Sequence, residues 1–208
     1  MQVVKSKILG LSLAILGWIG AIVSCALPMW KVSVRFKTGQ TIWEGIWERC
    51  EEDSTEEMQC KIPDFMTLSS DLQAARPLCF VVIVMGVLGF SFFIRGAKCT
   101  RCVKEERAKA RVMFAAGCTF ICAAVLLLIP VCWAAYSTIR AIFKDFIRSD
   151  SYIDEFPKEM GASLYLGWAS SALLFGGGTI LCCNCLPEKV IKKVIEHTGE
   201  ELMSQANL

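Results

Sequence analysis

Four stretches of the chain carry no charge: 23 residues between Lys7 and Lys31, 18 between Arg76 and Arg95, 28 between Arg111 and Arg140, and 28 between Glu159 and Glu188. A helix rises about 1.5 Å per residue and the hydrocarbon core is about 30 Å thick, so each stretch can cross a bilayer. The pattern predicts transmembrane helices over about 8–29, 77–95, 112–136 and 162–183. The first stretch has a rival reading as a cleaved signal peptide, since Lys5 and Lys7 precede it and Ser24-Cys25-Ala26 offers small residues. Signal peptides carry an apolar core of about 7–15 residues. This one runs unbroken to Trp30, which favours a retained helix.

A different period governs the segment between the first two helices. In KVSVRFK, Lys31 to Lys37, polar residues hold the odd positions and Val32, Val34 and Phe36 the even ones, the alternation of a half-buried strand. Thr38-Gly39-Gln40 reads as a turn, and TIWEGIWERC, rich in β-branched and aromatic residues, as further strand. MQCKI is another short strand candidate, so a small antiparallel sheet is expected. Ser69 or Ser70 is placed to cap the second helix.

Composition agrees with a membrane protein: 54% of the 208 residues are hydrophobic and mean hydropathy is +0.49. Charge then sets an orientation. The connection between helices two and three holds Arg95, Lys98, Arg101, Lys104, Arg107, Lys109 and Arg111 against Glu105 and Glu106. Cationic loops stay in the cytosol. Both termini are therefore expected inside, with segments 31–76 and 137–159 outside. Trp30, Trp133, Tyr136, Tyr165 and Trp168 fall near the outer ends, where amphipathic rings favour the interface.

Orientation gives the cysteines a meaning. Of twelve, only Cys50 and Cys60 lie clearly in the outward segments, which mature in an oxidising compartment; a disulfide between them is expected. Zinc would need more ligands, and the one histidine, His197, sits on the cytosolic tail. Cys99 and Cys102 form a Cys-x-x-Cys without a second pair to complete a metal site. With Cys182, Cys183 and Cys185 they are candidates for palmitoylation, or simple juxtamembrane cysteines.

No catalytic constellation, phosphate loop or cofactor motif is found, and no ionisable residue lies deep in a predicted span. The last point argues against a pump or transporter. Gly167 and Gly176-Gly177-Gly178, with the Ala and Ser residues of helix four, suggest close helix packing.

Trp30, then Gly45-Ile46-Trp47, then Cys50 and Cys60 resemble the claudin signature of Trp, Gly-Leu-Trp, Cys and Cys, with Ile46 for the usual Leu. Ala26-Leu27-Pro28-Met29-Trp30, Asp71-Leu72-Gln73-Ala74-Ala75-Arg76 and Glu159-Met160-Gly161-Ala162-Ser163-Leu164-Tyr165 look like claudins too, and the likeness runs from residue 1 to about 185. The resemblance implies one domain, a left-handed four-helix bundle carrying an extracellular five-stranded antiparallel sheet, followed by a cytosolic tail over 186–208. It also implies a tight-junction protein that polymerises into strands, adheres to like proteins in its own and the opposing membrane, and governs paracellular passage along its sheet surface.

By that resemblance, Asp53 and Lys61 stand where claudins set ion selectivity, and they are opposite in sign. Segment 31–76 carries nine acids and six bases. Fixed charge in a narrow passage enriches the opposite ion, so the sign of selectivity is open, with a barrier of limited cation preference favoured. Met66 matches the residue that inserts into a neighbour's pocket, here Phe146, Ile147 and Met160; packing within its own chain is the alternative.

Two departures from claudins stand out. Arg148-Ser149-Asp150 replaces the Asn-Pro-centred turn of the second loop, so head-on partner choice does not carry over. The chain ends Gln205-Ala206-Asn207-Leu208 where many claudins end Tyr-Val, which weakens docking in a junction-scaffold PDZ groove. Val190, Ile191, Val194 and Ile195 beside Lys189, Lys192 and Lys193 suit contact with inner-leaflet lipid. Nucleic acid is not an expected partner. A related four-span channel subunit or peripheral-myelin-type protein is the alternative, and a thiol oxidoreductase on Cys99 and Cys102 a remoter one.

Overall fold

A computed structural model describes residues 2–35, 40–52, 58–98, 106–147 and 159–184. In chain order the elements are α1 (Gln2–Ala26), β1 (Lys31–Val34), β2 (Thr41–Glu44), β3 (Arg49–Glu52), β4 (Met58–Lys61), a 3-10 turn (Phe65–Thr67), α2 (Ser70–Lys98), α3 (Glu106–Ile147), β5 (Glu159–Met160) and α4 (Ala162–Cys183). All four helices are long and apolar enough to cross a membrane.

Helix α3 is the longest, with 42 residues, or about 63 Å of rise. Its Ser137 meets the first turn of α2, so the residues after it extend past the bundle on the side that carries the sheet.

Small residues draw the helices together. A Cβ on Gly177 would lie 2.6 Å from the Gly10 carbonyl, and one on Gly178 would lie 2.7 Å from that of Gly117. These glycines let α4 approach α1 and α3 backbone to backbone. Gly176, expected to share that task, does not; nothing stands within 4 Å of its Cβ position. Between α1 and α2 the contact is aromatic instead. The Trp18 ring lies on Gly86, its Nε1–H donates to the Ile83 carbonyl at 3.3 Å, and its edge meets Phe90, which meets Phe120.

The five strands run in the order β4-β3-β2-β1-β5, antiparallel throughout. The hairpin β2–β3 turns through Gly45 to Glu48, where the Gly45 N–H donates to the Glu48 carbonyl at 2.9 Å. Residues after α3 return at β5 and close the sheet against β1, so both segments flanking the bundle share one sheet.

Alternation in KVSV forms a strand, but the covered face is the polar one. Lys31 and Ser33 are buried, Val32 is half-buried and Val34 exposed. The reason is a partner: the Lys31 ammonium finds an anion beneath the sheet. Trp30 also departs from expectation. It is fully buried and its Nε1–H donates to the Ser24 carbonyl at 2.9 Å, so it belongs to the core and not to an interfacial belt. Trp133, Tyr136 and Tyr165 are exposed as membrane-border rings can be.

Candidate functional site

The site is a sheet surface, and its first requirement is a fixed seat on the bundle. Residues 29–30 are clamped on both sides. The Trp30 N–H donates to the Glu44 carbonyl, while the Trp30 and Met29 carbonyls accept from the N–H groups of Gly161 and Ser163, each at 3.1 Å. Gly161 is obligatory there, because a Cβ would fall 1.9 Å from the Met29 carbonyl oxygen. Gly45 has a like constraint, 2.4 Å from the Pro28 Cα. That explains a glycine before Ile46 and Trp47: the hairpin rests its backbone on the end of α1.

Arg76 locks the same hairpin from α2. Its Nε–H donates to the Ile46 carbonyl at 2.8 Å and its guanidinium lies 5.6 Å from the Trp47 ring centroid. Such cation–π contacts contribute about 0.5–2 kcal/mol. Trp47 meets Phe80 edge-on, and Ile46 is buried in the core.

Beneath β1 lies a buried ion pair. Lys31 Nζ sits 2.6 Å from Asp71 Oδ2, both side chains being 4% exposed. The ammonium also donates to Ser69 Oγ at 3.1 Å, and the Ser137 hydroxyl donates to Asp71 Oδ2 at 2.9 Å. One carboxylate thus joins the sheet, the start of α2 and α3. Ser69, expected as a cap, gives its hydroxyl to this network.

At the other edge, Cys50 and Cys60 face each other across β3 and β4 and are joined by a disulfide. The Glu48 carboxylate lies within 4.8 Å of both sulfurs. Metal binding by cysteine needs thiolates. The disulfide leaves none here, so this trio is a brace beside an acid and not a metal centre.

Register fixes what the open surface presents. Arg49 and Glu51 on β3 stand opposite Lys61 and Gln59 on β4, side chains on one face. That face is covered at β1 and β2, where Lys31, Ser33 and Ile42 are buried, and it opens toward β4. There Gln40, Arg49, Glu51, Glu52, Gln59 and Lys61 line a groove of about 250 Å³. It holds two cations and two anions, able to attract or repel small ions but without the buried nucleophile or base that chemistry would require.

Several expected site residues fall elsewhere. Lys61 is on the groove; Asp53 lies outside the described residues. Met66 is 88% exposed and stands outside the chain's described core. Met160 packs on the chain's own core, and the Phe146 and Ile147 side chains lie outside the described set. Cys182 is buried, its thiol toward the Phe114 carbonyl and 3.9 Å from that of Cys118, which withdraws it from acylation; Cys183 is exposed. Cys99, Cys102 and Cys185 lie outside the described residues.

Residues 4–181 match the PMP-22/EMP/MP20/Claudin family. The chain is 47% identical over 186 residues to Claudin-4 of Canis lupus familiaris, covering 87% of this chain and 86% of that one. Identity is 45% to human Claudin-6, over 86% and 81% of the two chains, and 45% to human Claudin-3, over 88% and 83%. The chain belongs to the claudins. The features that seat its sheet are therefore those of a claudin: Trp30, the Gly45-Ile46-Trp47 hairpin and the Cys50–Cys60 brace.

Sequence reasoning missed the anchoring of this claudin's sheet by Lys31 and Asp71, and the place of Arg49. A signal existed for the first. Lys31 is the residue that ends a charge-free run, and Asp71 is the acid nearest the next. Arg49 carried no signal until the strand register was known.

Proposed function

We propose that this claudin works at the tight junction, where it polymerises into strands, holds adjoining cells together and forms a charge-selective paracellular barrier or passage. The open charged groove carries the reading. Its six lining residues belong to a sheet tied to the bundle through Lys31 and Arg76 and braced across β3 and β4 by the disulfide, so a charge there keeps its position when ions pass. The spans themselves hold no ionisable residue at depth, which fits passage beside the bundle and not through it.

In this reading the sheet faces the space between cells and both termini lie in the cytosol, as the cationic 95–111 connection implies. Residues 1–185 act as one unit and the tail is separate, with weak docking of Leu208 to PDZ scaffolds and contact with inner-leaflet lipid. The partners are other claudins, side by side and head-on. Met66, exposed and apolar, is the lateral contact, aimed at the Phe146, Ile147 and Met160 region of a neighbour. A barrier role needs no catalytic group, and none is proposed.

Expression in fibroblasts that lack strands tests the first half. Freeze-fracture replicas should show continuous strands at cell contacts; a protein confined to isolated particles would refute it and favour an auxiliary role within one membrane. Lys61→Asp tests the second half in an epithelial monolayer. Unchanged dilution potential and conductance would remove Lys61 from the passage.

A further inference from the structure

One cation on the groove has a placement that the family signature does not include. Arg49 stands on β3 with its side chain 35% exposed. Its Nη1 lies 3.1 Å from Glu44 Oε1 on β2, and its Nε lies 3.3 Å from Glu51 Oε1 on its own strand. Directly across, on β4, is Lys61. A single guanidinium therefore answers two carboxylates while standing beside a second cation. Its planar fork suits the task, since it can engage separate acceptors at once.

We propose that Arg49 is a specificity-determining residue of the passage surface: it masks Glu44 and Glu51 and keeps the groove from selecting cations. The proposal rests on the reading that this face lines the passage. On this face Arg49 and Lys61 balance Glu44 and Glu51, while Glu52, one residue out of phase, lines the groove from the end of β3. Removing the guanidinium leaves a net negative lining and takes away the cation that stands beside Glu44 and Glu51. One uncompensated charge about 6 Å from an ion in water changes its local concentration about threefold. Counter-ions screen the effect beyond about 8 Å at physiological salt, so only ions that enter the groove feel it.

The test compares wild type, Arg49→Gln, Arg49→Lys, Arg49→Glu and Lys61→Gln by sodium chloride dilution potentials across monolayers expressing each. The sodium-to-chloride permeability ratio should stay near wild type for Arg49→Lys, rise about tenfold for Arg49→Gln, since sodium is enriched and chloride depleted about threefold each, and rise further for Arg49→Glu. A merely structural arginine would instead make Gln and Glu alike and leave no ordering by charge, which overturns the proposal. So does an unchanged Arg49→Gln ratio when Lys61→Gln shifts its own. If neither residue moves the ratio, the passage reading of this face is at fault, and the proposal falls with it. Should Arg49→Gln fail to assemble strands, Glu51→Gln decides. With one acid fewer to answer, Arg49 should shift selectivity toward chloride, and an unchanged ratio overturns the assignment.

Discussion

Replacing Asp71 with alanine should unseat the sheet. Lys31 and Asp71 form an ion pair at 2.6 Å with both side chains 4% exposed, so neither charge can fall back on bulk water. In Asp71→Ala, Lys31 keeps one described acceptor, Ser69 Oγ, for three N–H donors, and Ser137 loses its carboxylate partner. Removing one member of such a pair destabilises by about 3–5 kcal/mol, mostly through the uncompensated charge left behind. For a chain of this size that corresponds to a fall in Tm of roughly 6–20 °C. Tryptophan fluorescence of purified protein during heating reads it directly, since Trp30 and Trp47 flank the affected strand and hairpin. The double substitution Lys31→Met with Asp71→Leu separates charge from packing. Two apolar residues of similar volume should recover most of the loss, as exchanged buried pairs often do. The deficit of Asp71→Ala should also persist at high salt, because buried pairs are screened little. A single mutant within about 1 kcal/mol of wild type, the range typical of a solvated surface pair, would refute the reasoning. Losses that simply add in the double mutant would do the same.

Other expectations follow from individual contacts. Gly161→Ala must push a methyl into the Met29 carbonyl, so cell-surface delivery should drop sharply, with a stability cost of about 1–3 kcal/mol or more by thermal melt. Cys50→Ser opens the β3–β4 brace and should cost about 2–5 kcal/mol, seen as earlier unfolding and greater protease sensitivity of the sheet. Cys182→Ser should leave hydroxylamine-sensitive fatty-acid labelling unchanged, whereas Cys183→Ser should reduce it; equal loss from both would contradict the burial of Cys182. Met66→Ala should spare the melting temperature of the single chain, since the side chain is exposed, yet interrupt strands in freeze-fracture images.

Much of the fold was legible because its two periods are strong. Charge-free runs announce the helices, alternation in KVSV announces one strand, and the β-branched and aromatic residues of TIWE announce another. Orientation within the sheet was not legible. Hydropathy sends Val32 and Val34 inward, but a buried lysine reverses the face once an aspartate 40 positions on stands below it. The positions of Lys31 and Asp71 beside two charge-free runs mark both residues, but their pairing beneath the sheet depends on tertiary proximity. Trp30 was misread for a related reason: a tryptophan at a helix end suits the membrane border or the core, and only the Ser24 carbonyl beneath its ring nitrogen decides. The helix-four glycines show the same limit, three in a row of which two touch a neighbour's backbone and one faces open space.

The distribution of anchors along the sheet also explains where selectivity can reside. At β1 and β2 nearly every inward group is committed: Lys31 to Asp71, the Trp30 backbone to Glu44 and Gly161, and the Ile46 carbonyl to Arg76. A charge changed there would alter stability before it altered an ion's path. Toward β4 the commitments thin to the disulfide and the Arg49 ion pairs, and side chains become exposed. Charge can change at that edge without unseating the sheet. Arg49 lies at the boundary between the two regimes. It is held by acids on two strands yet open to the groove, so it can hold Glu44 and Glu51 in place and set the sign of the surface at the same time.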